Sequence, residues 1–258
     1  MIPVLHEYQL APGVRAFSTT RQGGVSEGAY ASFNINAYCG DDPACLEANL
    51  ASLARELGLP QSAILMPHQV HGEQHVCVEA DFLSKSDEQQ ADLLDGVDII
   101  MTPLRQVCVG VSTADCVPVL LYDEVRGVVC AVHAGWRGTV VRVTCQALRV
   151  MTERYHTEPA HVVAVIGPCI SLEAFEVGDE VYARFQLAGF DMPSISRKDG
   201  KWHIDLPECN RQQLVSMGVR AENIQVSGIC TYTHSDRFFS ARKLGTFSGR
   251  IYSGIFRL

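Results

Sequence analysis

The chain has 258 residues, 47% hydrophobic and 19% charged, and its 21 basic and 29 acidic residues leave a formal net charge of -8. That length and balance exclude a short-peptide scaffold and a disordered chain. The acidic excess excludes a broad electrostatic footprint on nucleic acid or anionic lipid, so any anionic ligand must be held by local cations.

In chain order, Asp42 followed by Pro43 is a helix start. Leu46, Leu50, Leu53, Ala54 and Leu57 form an apolar stripe that stops at Gly58 and Pro60. Strands are expected over 64–66, 76–78, 97–101, 107–112, 117–122 and 128–133, with the polar stretch 84–95 read as a surface loop. One helix is expected over 138–155, a strand over 161–166, and helices over 177–187 and 207–217. Strands over 224–229 and 251–256 complete the series. Several strands are unbroken Val/Ile runs, the mark of strands covered on both faces. The fold class expected is α/β, with mixed sheets flanked by helices. No repeat, charge block or linker divides residues 1–258, which read as a single domain.

Ten cysteines, at 39, 45, 77, 108, 116, 130, 145, 169, 209 and 230, include no Cys-x-x-Cys pair and lie mostly in apolar stretches. This is reduced, buried thiol usage. The N-terminal segment shows no basic stretch followed by a long apolar one, the pattern expected of a leader, and no stretch stays apolar for the roughly 18 residues of a membrane span. Cytoplasm is the expected compartment, with neither membrane nor nucleic acid as partner.

Three segments place borderline metal ligands at expected strand ends: His68-Gln69-Val70-His71, Ala114-Asp115-Cys116 and His133-Ala134-Gly135-Trp136. Imidazole and thiolate both suit zinc, and a His/Cys/His set leaves a fourth position open, as a catalytic site requires. His68 and His71 compete for one role. A cysteine in an apolar run is ordinarily a small buried residue, which suits Cys108, Cys130, Cys145 and Cys230. Cys116 sits instead in a polar turn between strands, and His133 ends a strand before a Gly-flanked turn. His6, His75, His156, His161 and His203 have no such setting. For anions, Arg21 lies in a Gly-containing turn, and Gly135 to Thr139 opens a helix whose N–H groups could receive an oxyanion. Arg242, Lys243 and Arg250 add cations beside Phe238 and Phe239, short of a nucleic-acid stripe.

FSTTRQGGVS (17–26), QVHG (69–72), TADCVP (113–118), HAGWRG (133–138), IGPCI (166–170), FEVG (175–178), FFSARK (238–243) and GR (249–250) occur in order along nearly the whole chain. Together they resemble the YfiH family. That family was long labelled a laccase-domain or polyphenol oxidase group and is now described as purine nucleoside phosphorylases with adenosine deaminase activity. The resemblance implies a metal site of His71, Cys116 and His133, holding zinc with copper as the alternative. It also implies one α/β domain with mixed sheets layered between helices, a plan shared with certain toxin catalytic domains. The family's usual Arg-Arg reads Ala241-Arg242-Lys243 here, leaving Arg242 as the counterpart.

The implied substrates are adenosine, inosine and methylthioadenosine with phosphate. Asp115, next to Cys116, is the candidate proton shuttle, and Arg21 and Arg137 are candidates for the phosphate cradle. Two rival classes are a cysteine hydrolase with Cys116 as nucleophile and His133 as base, and a copper-dependent polyphenol oxidase. The oxidase lacks support from any His-x-His pair. A non-catalytic metal-binding module is a third.

Overall fold

A computed structural model describes residues 2–258. The strands are β1 (Leu5–Tyr8), β2 (Val14–Thr19), β3 (Ile64–Leu65), β4 (His75–Cys77), β5 (Ile99–Thr102), β6 (Cys108–Thr113) and β7 (Val117–Asp123). They continue as β8 (Val128–Ala134), β9 (Val162–Ile166), β10 (Glu176–Val177), β11 (Ser196–Asp199), β12 (Lys201–Ile204), β13 (Ile224–Val226) and β14 (Ile251–Arg257). The helices are α1 (Pro43–Leu57), α2 (Ala80–Leu83), α3 (Asp87–Leu94), α4 (Trp136–Val140), α5 (Val143–Tyr155), α6 (Asp179–Leu187), α7 (Met192–Ile195), α8 (Leu206–Ser216) and α9 (Ala241–Leu244). No helix among the described residues is long and apolar enough to cross a membrane.

Five strands pair in the order β1-β2-β14-β6-β3, six in the order β13-β9-β7-β8-β5-β4, and β10-β12-β11 form a small third sheet. Most pairings are antiparallel, while β3 with β6, β4 with β5 and β13 with β9 are parallel, so both large sheets are mixed. Side-chain alternation along β7 shows how they layer. Leu120 and Tyr122 meet Val109, Val111 and Ile255 of the five-stranded sheet. Val117, Val119 and Leu121 face the opposite way, onto Ala147, Leu148 and Met151 of α5 and Leu214 of α8. On the outer face of the five-stranded sheet, Phe17, Tyr252 and Phe256 pack on Leu53, Ala54 and Leu57 of α1. The result is four layers, helix on sheet on sheet on helix, with every residue of β7 and β8 buried. The unbroken Val/Ile runs anticipated this double covering.

Helix α1 follows its sequence signals: Asp42 accepts from the Ala44 N–H, Pro43 is the first helical residue, and Gly58 closes the helix at φ 70°. The expected single helix over 138–155 is instead two. Arg142 takes φ 64° between α4 and α5. Polar groups on α8 make the break affordable. Gln213 Nε2 donates to the Thr139 carbonyl, which a continuous helix would have paired with the Val143 N–H, and Asn210 bridges the Thr139 and Thr144 hydroxyls across the break. The expected loop over 84–95 contains α3, started by a reciprocal capping box between Ser86 and Gln89.

Candidate metal centre

Two chain segments cross between the large sheets on one side of the sandwich. One runs from β3 in the five-stranded sheet to β4 in the six-stranded sheet and carries His71. The other runs from β6 to β7 and carries Cys116. Between them ends β8, where His133 pairs with Pro118 of β7 and Ala134 with Val117. One ligand atom each from His71, Cys116 and His133 lies within 4.8 Å of the others. No other group of three or more His, Cys, Asp or Glu side chains among the described residues converges this way.

Asp98, at the start of β5 and fully buried, organises the centre. Its carboxylate accepts the His133 Nδ1–H at 2.6 Å, which turns Nε2 toward Cys116. The same carboxylate accepts the backbone N–H groups of Val70 (3.3 Å), His71 (3.1 Å) and Gly72 (2.7 Å). One anion therefore fixes both the tautomer of His133 and the loop that presents His71 at φ 64°. Gln69 ties that loop to β6, with Nε2 donating to the Ser112 carbonyl and Oε1 accepting the Ser112 N–H.

Burial disfavours a charged Cys116, but the neighbouring His133 and His71 imidazoles outweigh it and hold the thiol well below its ordinary range. Burial also disfavours a charged His133, and the Cys116 thiolate and Asp98 carboxylate outweigh it, raising the imidazole. By contrast, burial pushes the Cys108 thiol up to about 12. A thiolate and two imidazoles facing one point match the donor chemistry of a zinc or copper site. Gly135 supports the same fit: a Cβ there would sit 2.8 Å from His71 Cδ2 and 3.0 Å from Cys116 Sγ, filling the cradle.

A cavity of about 300 Å³ opens over His71, Cys116 and His133, bordered also by Asn36, Tyr38, His68, Gln69, Thr113 and Arg250. The buried Thr113 hydroxyl has no hydrogen-bond partner among the described residues. Of the two histidines of the first segment, His71 converges with Cys116 and His133, while His68 borders the cavity with Nδ1 on Asp95.

The other residues singled out from the sequence fall elsewhere. Asp115 has both carboxylate oxygens engaged, one by the Thr231 hydroxyl and one by the Arg242 N–H, each at 2.7 Å. Arg21 is turned into the fold, donating to the Ala31 and Ser235 carbonyls and lying over Phe239. Arg137 is exposed over the Trp136 ring, and Arg242 donates to the Glu176 carbonyl. None of these four borders the cavity, whereas Arg250 does. Sequence reasoning passed over Asp98, whose signal was a lone carboxylate inside the apolar run from Val97 to Met101.

The family model described as multi-copper polyphenol oxidoreductase laccase matches residues 15–258. A purine nucleoside phosphorylase of Bacteroides thetaiotaomicron is 48% identical over 242 residues, covering 93% of this chain and 90% of that protein. Adenosine deaminase RL5, from an unknown prokaryotic organism, is 41% identical over 249 residues, covering 95% and 94%. The purine nucleoside phosphorylase YfiH of Escherichia coli is 35% identical and covers 98% and 97%. The solved structure of YlmD from Geobacillus stearothermophilus superposes with a TM-score of 0.88 at 32% identity, over 96% of this chain and 94% of that one. The motifs, the four-layer fold and these relatives agree, and the chain belongs to the YfiH, or laccase-domain, family.

Proposed function

We propose that this chain is a zinc-dependent purine nucleoside enzyme. It cleaves adenosine, inosine and methylthioadenosine with phosphate to the free base and (methylthio)ribose 1-phosphate, and it deaminates adenosine to inosine by hydrolysis. The observation that carries this reading is the convergence of His71, Cys116 and His133 beneath a cavity of nucleoside size. Relatives named for both reactions support it.

His71, Cys116 and His133 would hold the ion, and zinc in this set supplies Lewis-acid polarisation without redox chemistry. Copper is the alternative ion, since the same donors accept it. Asp98 keeps His133 in one tautomer and so keeps its lone pair directed at the centre. Arg250, which borders the cavity, is the cation that would meet phosphate, sharing donors it now gives to the carbonyls of Thr246, Ser248 and Gly249. Arg21, Arg137 and Arg242, the cations proposed from sequence, would have to leave their present partners to reach it. Asp115 would likewise have to release Thr231 to carry a proton.

Purified protein incubated with adenosine, with and without phosphate, tests the reading when products are identified by mass spectrometry and metal is quantified. Phosphate-dependent adenine and phosphate-independent inosine are expected. Cys116→Ala and His133→Ala should each lose bound metal and at least about 99% of turnover. Wild-type turnover in demonstrably metal-free Cys116→Ala protein would overturn it. The lowered Cys116 thiol beside the raised His133 imidazole favours one second reading, a cysteine hydrolase. Activity that survives chelation but not thiol alkylation would select it.

A further inference from the structure

We infer that His68, held by Asp95, is the general acid that protonates the departing purine, a step that rests on the phosphorolysis reading above. A purine anion is a poor leaving group, and protonation at its imidazole nitrogen N7 removes that cost. The cavity must therefore present a proton-carrying atom that the metal does not use.

The side chains bordering the cavity leave one such atom. Gln69 spends both ends on the Ser112 backbone, Asn36 donates to the Ser112 hydroxyl, and Cys39 donates to the Asn36 carbonyl. Arg250 is committed to the carbonyls of Thr246, Ser248 and Gly249. The remaining hydroxyls are weak acids.

His68 differs from all of these. Its Nδ1 donates to the Asp95 carboxylate at 2.6 Å, so Nε2 is the ring nitrogen without a partner among the described residues and the one that would meet a ligand. Tyr38 stacks on the ring at 4.2 Å with an interplanar angle of 25°, and the His68 N–H donates to the Leu94 carbonyl. The imidazole is thus oriented by a carboxylate behind and an aromatic face beside it, which is how a general acid is aimed.

In the step, the bond from C1′ to N9 breaks and its electron pair passes to the purine, while a phosphate oxygen bonds to C1′. The proton on His68 Nε2 moves to N7. The hydroxyl proton of the hydrogen phosphate dianion returns through solvent to the imidazole, so the neutral base and the sugar phosphate dianion leave with no net proton change.

Methylation at N7 supplies the positive charge that the proton would bring, so an N7-methylated nucleoside needs no acid. His68→Gln should lower kcat for inosine phosphorolysis about 100-fold or more and leave 7-methylinosine within about threefold of wild type. Asp95→Asn, which keeps the imidazole but not its carboxylate, should lose about tenfold on inosine alone. Metal content and thermal midpoint should match wild type in both variants. Equal losses on the two substrates, an unchanged rate on inosine, or loss of metal from His68→Gln would overturn the assignment. Wild-type protein that releases no base from either nucleoside would overturn the phosphorolysis reading itself, and this step with it.

Discussion

Replacing Gly135 by alanine tests whether the space between His71 and Cys116 is where an ion binds. Gly135 has φ -65° and ψ 171°, a conformation alanine adopts without cost, so the substitution acts by volume alone. The new methyl would lie 2.8 Å from His71 Cδ2 and 3.0 Å from Cys116 Sγ. Ordinary carbon contacts begin near 3.5 Å, so one group must give by about 0.7 Å. Cys116 is fixed at the start of β7, whereas His71 is exposed on a loop and is the group that yields. Ligand distances in zinc sites tolerate about 0.2 Å, so the displaced imidazole should weaken binding about 10- to 100-fold, or about 1.4–2.8 kcal/mol. In the metal-free fold the solvent-facing His71 absorbs its own overlap and the 3.0 Å contact with Cys116 Sγ must give by a few tenths of an ångström, so stability should fall by only about 1 kcal/mol. Competition against a chromogenic chelator measures the affinity, and urea unfolding of metal-free protein measures the fold. Unchanged affinity would refute the reasoning, as would a fold loss as large as the affinity loss.

Two further substitutions probe the scaffold. Asp98→Asn leaves buried N–H donors facing an amide, and should cost about 3–5 kcal/mol at pH 7 by chemical denaturation. Burial works against the native carboxylate, but the His133 hydrogen bond and charge, with the Gly72 and Val70 N–H groups, hold it below the ordinary range. Its contribution is therefore present above the unfolded value near 4 and lost as pH falls through the lower folded value, so the gap between wild type and variant should close in acid. A gap independent of pH would count against Asp98 as an anion. Gly110→Ala would place a methyl 2.3 Å from the Tyr252 ring, which is fully buried and anchored by its hydroxyl on the Leu65 carbonyl. A loss of at least about 2 kcal/mol, read as a midpoint lowered by roughly 4–8 °C, is expected, and a shift under 1 °C would contradict the packing.

The central strands were legible because β5 to β9 are short apolar runs between turn residues, and their covering on both faces follows from that pattern. Strands β1 and β11 were not, since Leu5–Tyr8 and Ser196–Asp199 mix polar and apolar residues at sheet edges, where pairing and not burial sets the conformation. The break at Arg142 is invisible locally. Its compensation comes from Asn210 and Gln213, about 70 residues on. Cys116 and His133 stood out through their turns, but spacing could not choose between His68 and His71. The choice is made by Asp98, which grips the backbone of His71, and by Asp95, which draws His68 aside.

Strand β14 lies between β2 and β6, and Ser253 meets Ser18 across 235 residues of sequence. A nascent chain elongating at 5–20 residues per second would therefore carry β2 unfilled on one edge for on the order of 10–50 s, and β6 for on the order of 7–30 s, before the wedge that joins them is made. Since β6 leads into the segment that carries Cys116, the scaffold of the candidate centre is completed only when β14 is in place. Ribosome-bound intermediates should need shielding from intermolecular strand pairing until then.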